Sequence, residues 1–263
     1  MMHLSLYMTA GLAVGAMVGL TGVGGGSLMT PILMLAFGQS PSMAVGTDLL
    51  FAAITKLVAT ADAGFTRRVD WPIVARLLAG SIPGSLLVVG WLWYAQHNAH
   101  PPDRLIVRSL AVILAVTALG LLLQTPLRRL GLDFSARFIA RTERHTVMLT
   151  VLAGWVLGAA VTLTSVGAGA LGVVMLLALY PLRLTSERLV ATDIAHALPV
   201  TLIAGAGHAA LGHVDFSALS ALLLGSIPGV LIASRLVVRL PARLTRTLIA
   251  VMLAVVSERM LLG

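Results

Sequence analysis

The chain has 263 residues, of which 58% are hydrophobic and 11% are charged, and its mean hydropathy is +0.98. A soluble domain carries about 25% charged residues, so this composition indicates an integral membrane protein without a separate soluble domain. The net charge of +8 does not indicate nucleic-acid binding, because most arginines lie between apolar segments, where positive charge sets topology. The absence of cysteine excludes disulfides, thiolate metal ligands and cysteine nucleophiles.

The first half of the sequence begins with a predicted helix that is interrupted by glycines. Residues 4–20 and 27–37 are two short apolar segments on either side of the stretch "GLTGVGGGS". A bilayer-spanning helix needs about 20 residues, so the segment at 27–37 is too short to cross alone. Full spans are predicted near residues 43–64, 71–94 and 104–123.

A basic connector at 124–144 separates these segments from a second set in the same order. Phe134, Phe138 and Ile139 stand among its arginines, which predicts an interfacial helix on anionic lipid. The pattern then restarts with a segment at 145–163, a second Gly/Ser/Thr break, a short segment at 170–180, and spans near 187–207, 216–238 and 243–262.

The two halves are related by an internal repeat. The sequence "GTDLLFAA" at 46–53 aligns with "ATDIAHAL" at 191–198 at an offset of 145 residues, and the same offset superimposes the two copies of "GSIPG". An offset of 143 residues places "LTGVGGG" over "LTSVGAG". We therefore divide the chain into a first transmembrane repeat (1–123), a basic cytoplasmic connector (124–144) and a second transmembrane repeat (145–263).

The distribution of arginine predicts that the second repeat is inverted. Arg67 and Arg68 follow the 43–64 span, whereas the equivalent loop of the second half, "LGHVD", has no Lys or Arg, and the next loop is the basic one. Basic loops face the cytoplasm, so the pattern fits if each broken segment enters and leaves on one side. The predicted fold class is an all-α polytopic membrane protein with two inverted-topology repeats. Each repeat has a broken, re-entrant helix pair followed by three transmembrane helices.

The two breaks predict an anion-binding site near the bilayer midplane. A helix N-terminus carries unpaired N–H groups and about half a positive charge, and glycine lets an anion approach the backbone. Secondary transporters place such helix ends at their substrate sites. The predicted substrate-binding residues are Thr21, Gly22, Gly24, Gly25, Gly26, Ser27, Lys56, Thr164, Ser165, Gly167 and Gly169. Close helix packing is the alternative, which we favour for Gly11, Gly15 and the two GSIPG segments.

Lys56 is the only lysine of the chain and lies in the middle of a predicted span. A cation inside the membrane is costly and faces a partner or a water-filled cavity. A substrate-binding cation is one interpretation, and a structural ion pair with a carboxylate such as Asp193 of the other repeat is the alternative. Its repeat equivalent is Thr201, so the two halves differ at this position.

Three further polar residues inside predicted spans, Asp48, Asp193 and His196, are candidates for coupling or gating. The two aspartates are repeat-related and lie near the starts of their predicted helices, so helix capping is the alternative. His196 follows Asp193 by three residues on the same face. Such a pair could carry a proton near neutral pH, or it could be a structural hydrogen bond.

The remaining polar residues have weaker indications. Asp70 and Asp215, each followed by an aromatic residue, are predicted to begin helices at the membrane surface. His208 and His213 flank a predicted outward loop, and two histidines without further ligands are weak evidence for a metal site. We therefore predict neither a metal nor a cofactor.

A set of sequence motifs occurs in order and in duplicate along the chain. The first half carries "GLTGVGGGSLMTPIL" and "AVGTDLLFAAITK…FTRRVDW", and the second carries "TSVGAGALG", "ATDIAHALPVTLIAGAGHAALGHVDF" and "GSIPG". Together they resemble the sulfite exporter TauE/SafE family of bacterial membrane transporters over nearly the whole chain, except the loop at 95–103 and the connector. The resemblance implies transport of small anions of the sulfite, sulfonate and organosulfur class, and a location in the bacterial inner membrane. The second break has Ser165, Ala168 and Ala170 where the first is glycine-rich, so the two anion-binding ends are predicted to be unequal.

We expect a secondary transporter that moves a small oxyanion by alternating access, with no enzymatic activity. Its expected partners are the anion and membrane lipid, with no nucleic acid, and a coupling ion (proton or sodium) and a homo-oligomer are left open. The sequence has no GxxxxGK[ST] motif, so energy would come from gradients or a partner chain. Two alternatives stay open: a non-transporting membrane assembly protein, and an intramembrane metal-dependent enzyme that uses Asp193, His196 and His208.

Overall fold

The computed structural model of the protein describes residues 2–21, 26–60, 65–98, 103–122, 143–167, 169–180, 183–235, 251 and 254–258. Within these ranges the regular elements are all helices, which confirms the predicted all-α class of a polytopic membrane protein. The predictions for Gly22, Gly24 and Gly25, for the connector up to residue 142 and for most of the last span fall outside the described residues.

The described part of the first half contains the predicted short helices and spans. Its helices are α1 (Met2–Thr21), α2 (Gly26–Leu35), α3 (Pro41–Ala59), a single turn α4 (Phe65–Arg68), α5 (Trp71–His97) and α6 (Asp103–Leu122). Helix α3 begins with proline, which has no N–H group to leave unsatisfied in a first turn. It ends at Ala59, several residues before the predicted boundary.

The described part of the second half repeats this order. Its helices are α7 (Glu143–Thr164), α8 (Ala170–Leu179), α9 (Ser186–Ala210) and α10 (Phe216–Arg235). Within the described ranges, 5 helices are long and apolar enough to cross a membrane: Pro41–Val58, Trp71–His97, Thr146–Thr164, Glu187–Ala210 and Phe216–Ala233. Helices α2 and α8 have 10 residues each, which is too few to span a bilayer.

Helices α5 and α7 pack closely through small residues. Gly80 of α5 lies against the Val151 carbonyl of α7, and Gly158 of α7 lies against the Ser81 carbonyl of α5. A Cβ atom at either glycine would overlap these backbone atoms. In a membrane, small residues at such positions let two helices approach and gain van der Waals contact.

Helices α1 and α10 make the equivalent contact. Gly11 lies against the Leu222 carbonyl and Gly15 against the Ser226 carbonyl, which confirms the packing interpretation for both glycines. These contacts are the repeat equivalents of those between α7 and α5. Helices α5 and α10, which contain the two GSIPG segments, therefore pack against α7 and α1 respectively. In each case the partner is the first helix of the broken pair in the other half.

Asp70 and Asp215 begin α5 and α10, as predicted. Each carboxylate accepts a hydrogen bond from the backbone amide three residues later, at 3.4 and 2.9 Å respectively. The backbone amide of Asp70 donates to the Thr192 hydroxyl, and that of Asp215 donates to the Thr47 hydroxyl, both at 3.0 Å. Asp215 is the repeat equivalent of Asp70, and Thr192 is the repeat equivalent of Thr47. The two contacts are therefore related by exchange of the two halves, as a two-fold relation requires.

The repeat-equivalent helices α3 and α9 lie side by side in opposite directions. Gly46, near the start of α3, lies against His208 near the end of α9, and Leu50 lies against Gly205. Farther along, Lys56 interacts with Asp193 near the start of α9. Apolar residues of both helices form one buried core with α5, α6 and α7: Val45, Leu49, Ala197, Val200 and Ala204.

Each broken pair folds back on itself. In the first pair, the Tyr7 ring of α1 stacks on the Phe37 ring after α2, with centroids 4.0 Å apart. In the second pair, the hydroxyls of Thr150 in α7 and Tyr180 after α8 are 2.7 Å apart. In both pairs, a residue just after the short helix thus lies against the first part of the long helix.

Candidate functional site

The chain between α7 and α8 leaves helical geometry at Ser165. Ser165 has a φ of 58°, in the left-handed region that is uncommon for residues with a side chain. Gly167 and Gly169 follow with φ values of 121° and 143°, which are accessible to glycine. The second break is therefore a tight, non-helical connection, and its Ser165 carries the kind of backbone strain that clusters at functional sites.

The two hydroxyl groups of this break have different partners. The Thr164 hydroxyl donates to the Ala160 carbonyl at 2.7 Å and accepts from the Val166 amide at 3.2 Å. The buried Ser165 hydroxyl faces the Asp48 carboxylate, but its Oγ has no hydrogen-bond partner of normal geometry among the described residues. Thr164 thus stabilises the turn, whereas the Ser165 hydroxyl has capacity for a further hydrogen bond.

Asp48 is bound to α2 rather than to the start of its own helix. Its Oδ2 accepts hydrogen bonds from the Thr30 amide at 3.0 Å and the Thr30 hydroxyl at 2.5 Å. Helix α3 begins at Pro41 with Ser40 as its N-cap, so Asp48 lies two turns inside the helix and does not cap it. The side chain is fully buried, and its Oδ1 has no hydrogen-bond partner in the described part of the chain.

Asp193 has the corresponding position in the second half. It lies inside α9, whose N-cap is Thr185, so it does not cap its own helix either. Its Oδ1 lies against Gly172 in the first turn of α8 and has no hydrogen-bond partner within the described ranges. Asp193 therefore faces the first turn of α8, where the helix dipole favours negative charge, whereas Asp48 contacts Thr30 in the middle of the 10-residue helix α2.

Lys56 links the two carboxylates. Its side chain is 2% exposed and interacts electrostatically with Asp193 and Asp48. Asp193, the carboxylate that the sequence offers as the partner of a structural ion pair, is thus within electrostatic range of Lys56, and the two residues belong to different halves of the chain. We refer to Asp48, Lys56 and Asp193 as the central charge cluster.

His196 lies at the edge of this cluster. Its ring Nε2 is 3.0 Å from the Ser81 hydroxyl of α5, and Lys56 acts on the ring electrostatically. The predicted hydrogen-bonded pair of His196 and Asp193 does not form in the structure. Both side chains point away from α9 toward different neighbours, since α5 offers a buried hydroxyl and α8 offers the space beside Gly172.

The other predicted site residues lie at the first break. Thr21 is the last residue of α1, Gly26 is the first residue of α2, and Ser27 follows it. Gly22, Gly24 and Gly25 lie outside the described residues. Among the described residues, no group of three His, Asp or Glu side chains could hold a metal ion.

Three residues that contact Asp48, His196 and Asp193 are not predicted from the sequence: Thr30, Ser81 and Gly172. Thr30 stands directly before a proline in a short helix, Ser81 lies inside a segment interpreted as packing, and Gly172 aligns with Met29 in the repeat. Their only sequence signal is a polar or missing side chain inside an apolar segment. Such a signal is too common in membrane helices to single out a residue.

Replacing Gly172 with alanine is expected to displace the Asp193 carboxylate, because the new Cβ would overlap its Oδ1. We expect a loss of about 1–3 kcal/mol in the free energy of unfolding and a matching loss of transport. Thermal unfolding of the purified protein measures the first effect. Gly90→Ala is the matched control, since a Cβ at Gly90 would have no atom within 4 Å. Equal unfolding temperatures for both variants would contradict the assigned contact.

Comparison with known proteins now gives the class of the protein. The family model described as "Sulfite exporter TauE/SafE" matches residues 7–260. The chain belongs to the TauE/SafE family. This TauE/SafE protein is 39% identical over 240 residues to the "Probable membrane transporter protein YjnA" of Bacillus subtilis (strain 168), covering 89% of this chain and 90% of the relative.

A second relative of the TauE/SafE protein matches over a shorter region. The "Probable membrane transporter protein YunE" of Bacillus subtilis (strain 168) is 31% identical over 83 residues, which covers 32% of this chain and 30% of the relative. No solved structure matches the chain significantly. The family and the relatives are membrane transporters, so this TauE/SafE protein is a multi-pass membrane transporter rather than an enzyme.

Proposed function

We propose that this protein is a secondary transporter for a small anion of the sulfite, sulfonate or organosulfur oxyanion class. The observation that carries the proposal is Lys56, the only lysine of the chain, which is 2% exposed and lies between carboxylates from both halves. A cation kept inside a membrane protein at this cost marks a substrate or ion pathway. The family description, "Sulfite exporter TauE/SafE", supports the anion class.

The anion would bind between the two broken helix pairs. Lys56 supplies the positive charge, and the Ser165 hydroxyl has capacity for a further hydrogen bond. Helix N-termini add backbone N–H groups. The proposed binding residues are those predicted at the two breaks together with Lys56, namely Thr21, Gly22, Gly24, Gly25, Gly26, Ser27, Lys56, Thr164, Ser165, Gly167 and Gly169. In this arrangement Thr164 contributes by holding the turn.

The proposed transport cycle is alternating access between two inverted repeats, 1–123 and 145–263, joined by a cytoplasmic connector at 124–144. The antiparallel packing of α3 against α9 supports inversion, since repeats related by an axis along the membrane normal would keep equivalent helices parallel. The reciprocal contacts of Asp70 with Thr192 and of Asp215 with Thr47 support a two-fold relation. Rocking of one repeat against the other would open the site to either side in turn.

The proposed location is the bacterial inner membrane, with the Arg67–Arg68 loop in the cytoplasm. Both arginines are exposed in the short helix α4, and basic loops stay on the cytoplasmic side. The matched relatives are bacterial proteins. Protease accessibility of a tag inserted beside Arg68, in intact cells and in inverted vesicles, would establish the side.

Purified protein in liposomes is expected to exchange external labelled sulfite or methanesulfonate for the same internal anion. Lys56→Ala and Gly25→Leu should each lower this exchange by roughly tenfold or more, because the first removes the cation and the second blocks the approach to the helix tip. Gly90→Leu, which meets no atom within 4 Å at its Cβ, should exchange normally. Normal exchange in both site variants would overturn the assigned site, and no exchange of either anion by the unmodified protein would overturn the substrate class.

A further inference from the structure

We propose that the two bodies that rock against each other during transport are the two repeats with their GSIPG helices exchanged. The first body consists of α1, α2, α3 and α10, and the second body consists of α7, α8, α9 and α5. The two bodies are repeat equivalents of each other, because α10 corresponds to α5. This inference rests on the proposed function and specifies which helices move together in its rocking step. Helix α6 has contacts with both bodies and is assigned to neither.

A single buried core holds the first body together. It contains residues from all four helices: Val14 of α1, Met29 of α2, Phe51 of α3 and Leu222 of α10. A polar contact adds to it, since the Gln39 amide, between α2 and α3, donates a hydrogen bond to the Asp215 carboxylate at 3.2 Å. Helix α10 is therefore fixed to the broken pair of the first half, both by its core residues and at its first turn.

An equivalent core holds the second body together. It also contains residues from four helices: Ile73 and Leu77 of α5, Leu157 of α7, Val173 of α8 and Leu189 of α9. Arg183, just before α9, donates from Nε and Nη2 to the Asp70 carboxylate at 2.8 and 2.9 Å. Bidentate pairs of this kind are among the stronger hydrogen-bonded contacts in proteins. The start of α5 is therefore fixed to the second half.

Helix α5 follows α9 along most of its length, although the two helices come from different halves. Three contacts join them in the same order along both helices: Asp70 with Thr192, Ser81 with His196, and Val89 with Gly207. The polar groups among them are nearly or fully buried. Separating α5 from α9 would leave these groups without partners, which is unfavourable, so we expect the two helices to move together.

The boundary between the two bodies is the contact of α3 with α9. Leu50 of α3 lies against Gly205 of α9. The other residues of this boundary are apolar and mostly small: Val45, Leu49, Ala197, Val200 and Ala204. Packed helices can slide past one another over such a surface, as in shear motions, because no directional bond between these side chains has to break.

The central charge cluster lies across this boundary. Lys56 belongs to the first body, and it is attracted electrostatically to Asp193 of the second body. An anion bound at Lys56 competes with Asp193 for the same positive charge and weakens this attraction between the bodies. A ligand shifts a conformational equilibrium through such a difference in interaction between the states. Binding of the anion is thereby linked to movement of one body relative to the other.

Two engineered disulfides on α9, two residues apart, test the composition of the bodies. Leu50→Cys with Gly205→Cys joins α9 to α3 of the other body. Val89→Cys with Gly207→Cys joins α9 to α5 of the same body. Both pairs connect the first half of the sequence to the second, so they are matched in this respect. The protein has no cysteine, so each variant contains only the intended pair.

The geometry of both positions suits a disulfide. A Cβ atom at Gly205 would lie 3.0 Å from the Leu50 Cγ, and one at Gly207 would lie 3.3 Å from the Val89 Cβ. The two Cβ atoms of a disulfide are about 3.8 Å apart, so small adjustments suffice. Replacing Leu50 and Val89 also removes the branched side-chain atoms that the new Cβ atoms would otherwise overlap.

Exchange of methanesulfonate in liposomes measures the effect of each disulfide. Oxidation of the 50–205 pair should lower exchange at least about tenfold, and reduction should restore it, because this bridge blocks the conformational step. The oxidised 89–207 pair should exchange within about twofold of its reduced form, because α5 and α9 do not move apart. Inhibition by the 89–207 disulfide, or full exchange with the 50–205 disulfide, would overturn the proposed bodies. Absence of exchange in the unmodified protein would instead overturn the proposed function.

Distances between spin labels, measured by pulsed electron paramagnetic resonance, test the bodies without any substrate. One label replaces Tyr94 of α5, and the second replaces either Met148 of α7 or Leu224 of α10. All three side chains are exposed. The 94–148 distances should form one narrow distribution, whereas the 94–224 distances should be broad or fall into two groups, because the bodies occupy several relative positions. A broad 94–148 distribution, or equally narrow distributions for both pairs, would overturn the inference.

Discussion

Replacing Lys56 with methionine is expected to abolish transport and to destabilise the protein. The ammonium group is 2% exposed and faces Asp193 and Asp48, so its loss leaves two buried carboxylates without their cation. Removing one member of a buried charge pair costs about 3–5 kcal/mol of folding free energy. We expect the unfolding temperature to fall by roughly 10 °C. Anion exchange in liposomes should fall roughly 100-fold, as expected when a desolvated charge contact of about 3 kcal/mol is lost.

A second substitution separates the structural contribution of Lys56 from its contribution to transport. Combining Lys56→Met with Asp193→Asn removes both charges of the pair, so most of the lost unfolding temperature should return. Transport should not return, because the cation that binds the anion is still missing. If the double variant transported normally, the structural ion pair would be the whole role of Lys56, as the alternative interpretation of the sequence holds.

Replacing Gly158 with leucine is expected to destabilise the fold strongly. Gly158 of α7 lies directly against the Ser81 carbonyl of α5, and a larger side chain would push these helices apart. Backbone atoms cannot move aside as a flexible side chain can, so we expect a loss of about 3 kcal/mol or more. The displacement would also move Ser81 away from His196, to which it is hydrogen-bonded at 3.0 Å. Size-exclusion profiles and unfolding temperatures of the purified protein measure the outcome.

Gly90→Leu is the matched control for this prediction. Gly90 lies in α5 but has no neighbouring atom within 4 Å of an added Cβ, so leucine there should be neutral or stabilise the helix by up to about 1 kcal/mol. The milder Gly158→Ala variant should already unfold at a lower temperature than Gly90→Leu. Identical unfolding of the two leucine variants would show that α5 and α7 are not in contact at Gly158.

The sequence predicts a large part of the fold because its signals are local. Apolar length predicts the helices, and the glycine-rich interruptions predict the breaks, since both depend on residues that are close together in the chain. Asp70 and Asp215 are found at helix starts for the same reason, because a cap forms with an amide only three residues away. The packing of Gly11 and Gly15 follows from their spacing on one helical face.

The candidate site is only partly predictable from sequence. Lys56, Asp48 and Asp193 stand out because charge is rare inside apolar spans. Their partners do not stand out, because Thr30 and Gly172 are ordinary residues whose contacts come from other helices. The sequence pairs Asp193 with His196 from their spacing, yet the structure pairs His196 with Ser81.

What the sequence determined by itself is the membrane class, the repeat and the identity of the charged groups, because these follow from composition and from order along the chain. The tertiary structure decided which groups meet. Helices α3 and α9 lie antiparallel, and this places Lys56 of one half within electrostatic range of Asp193 of the other and places His208 within hydrogen-bond distance of the Thr162 carbonyl of α7. Such contacts join residues far apart in the chain, and only helix packing brings them within the few ångströms over which hydrogen bonds act.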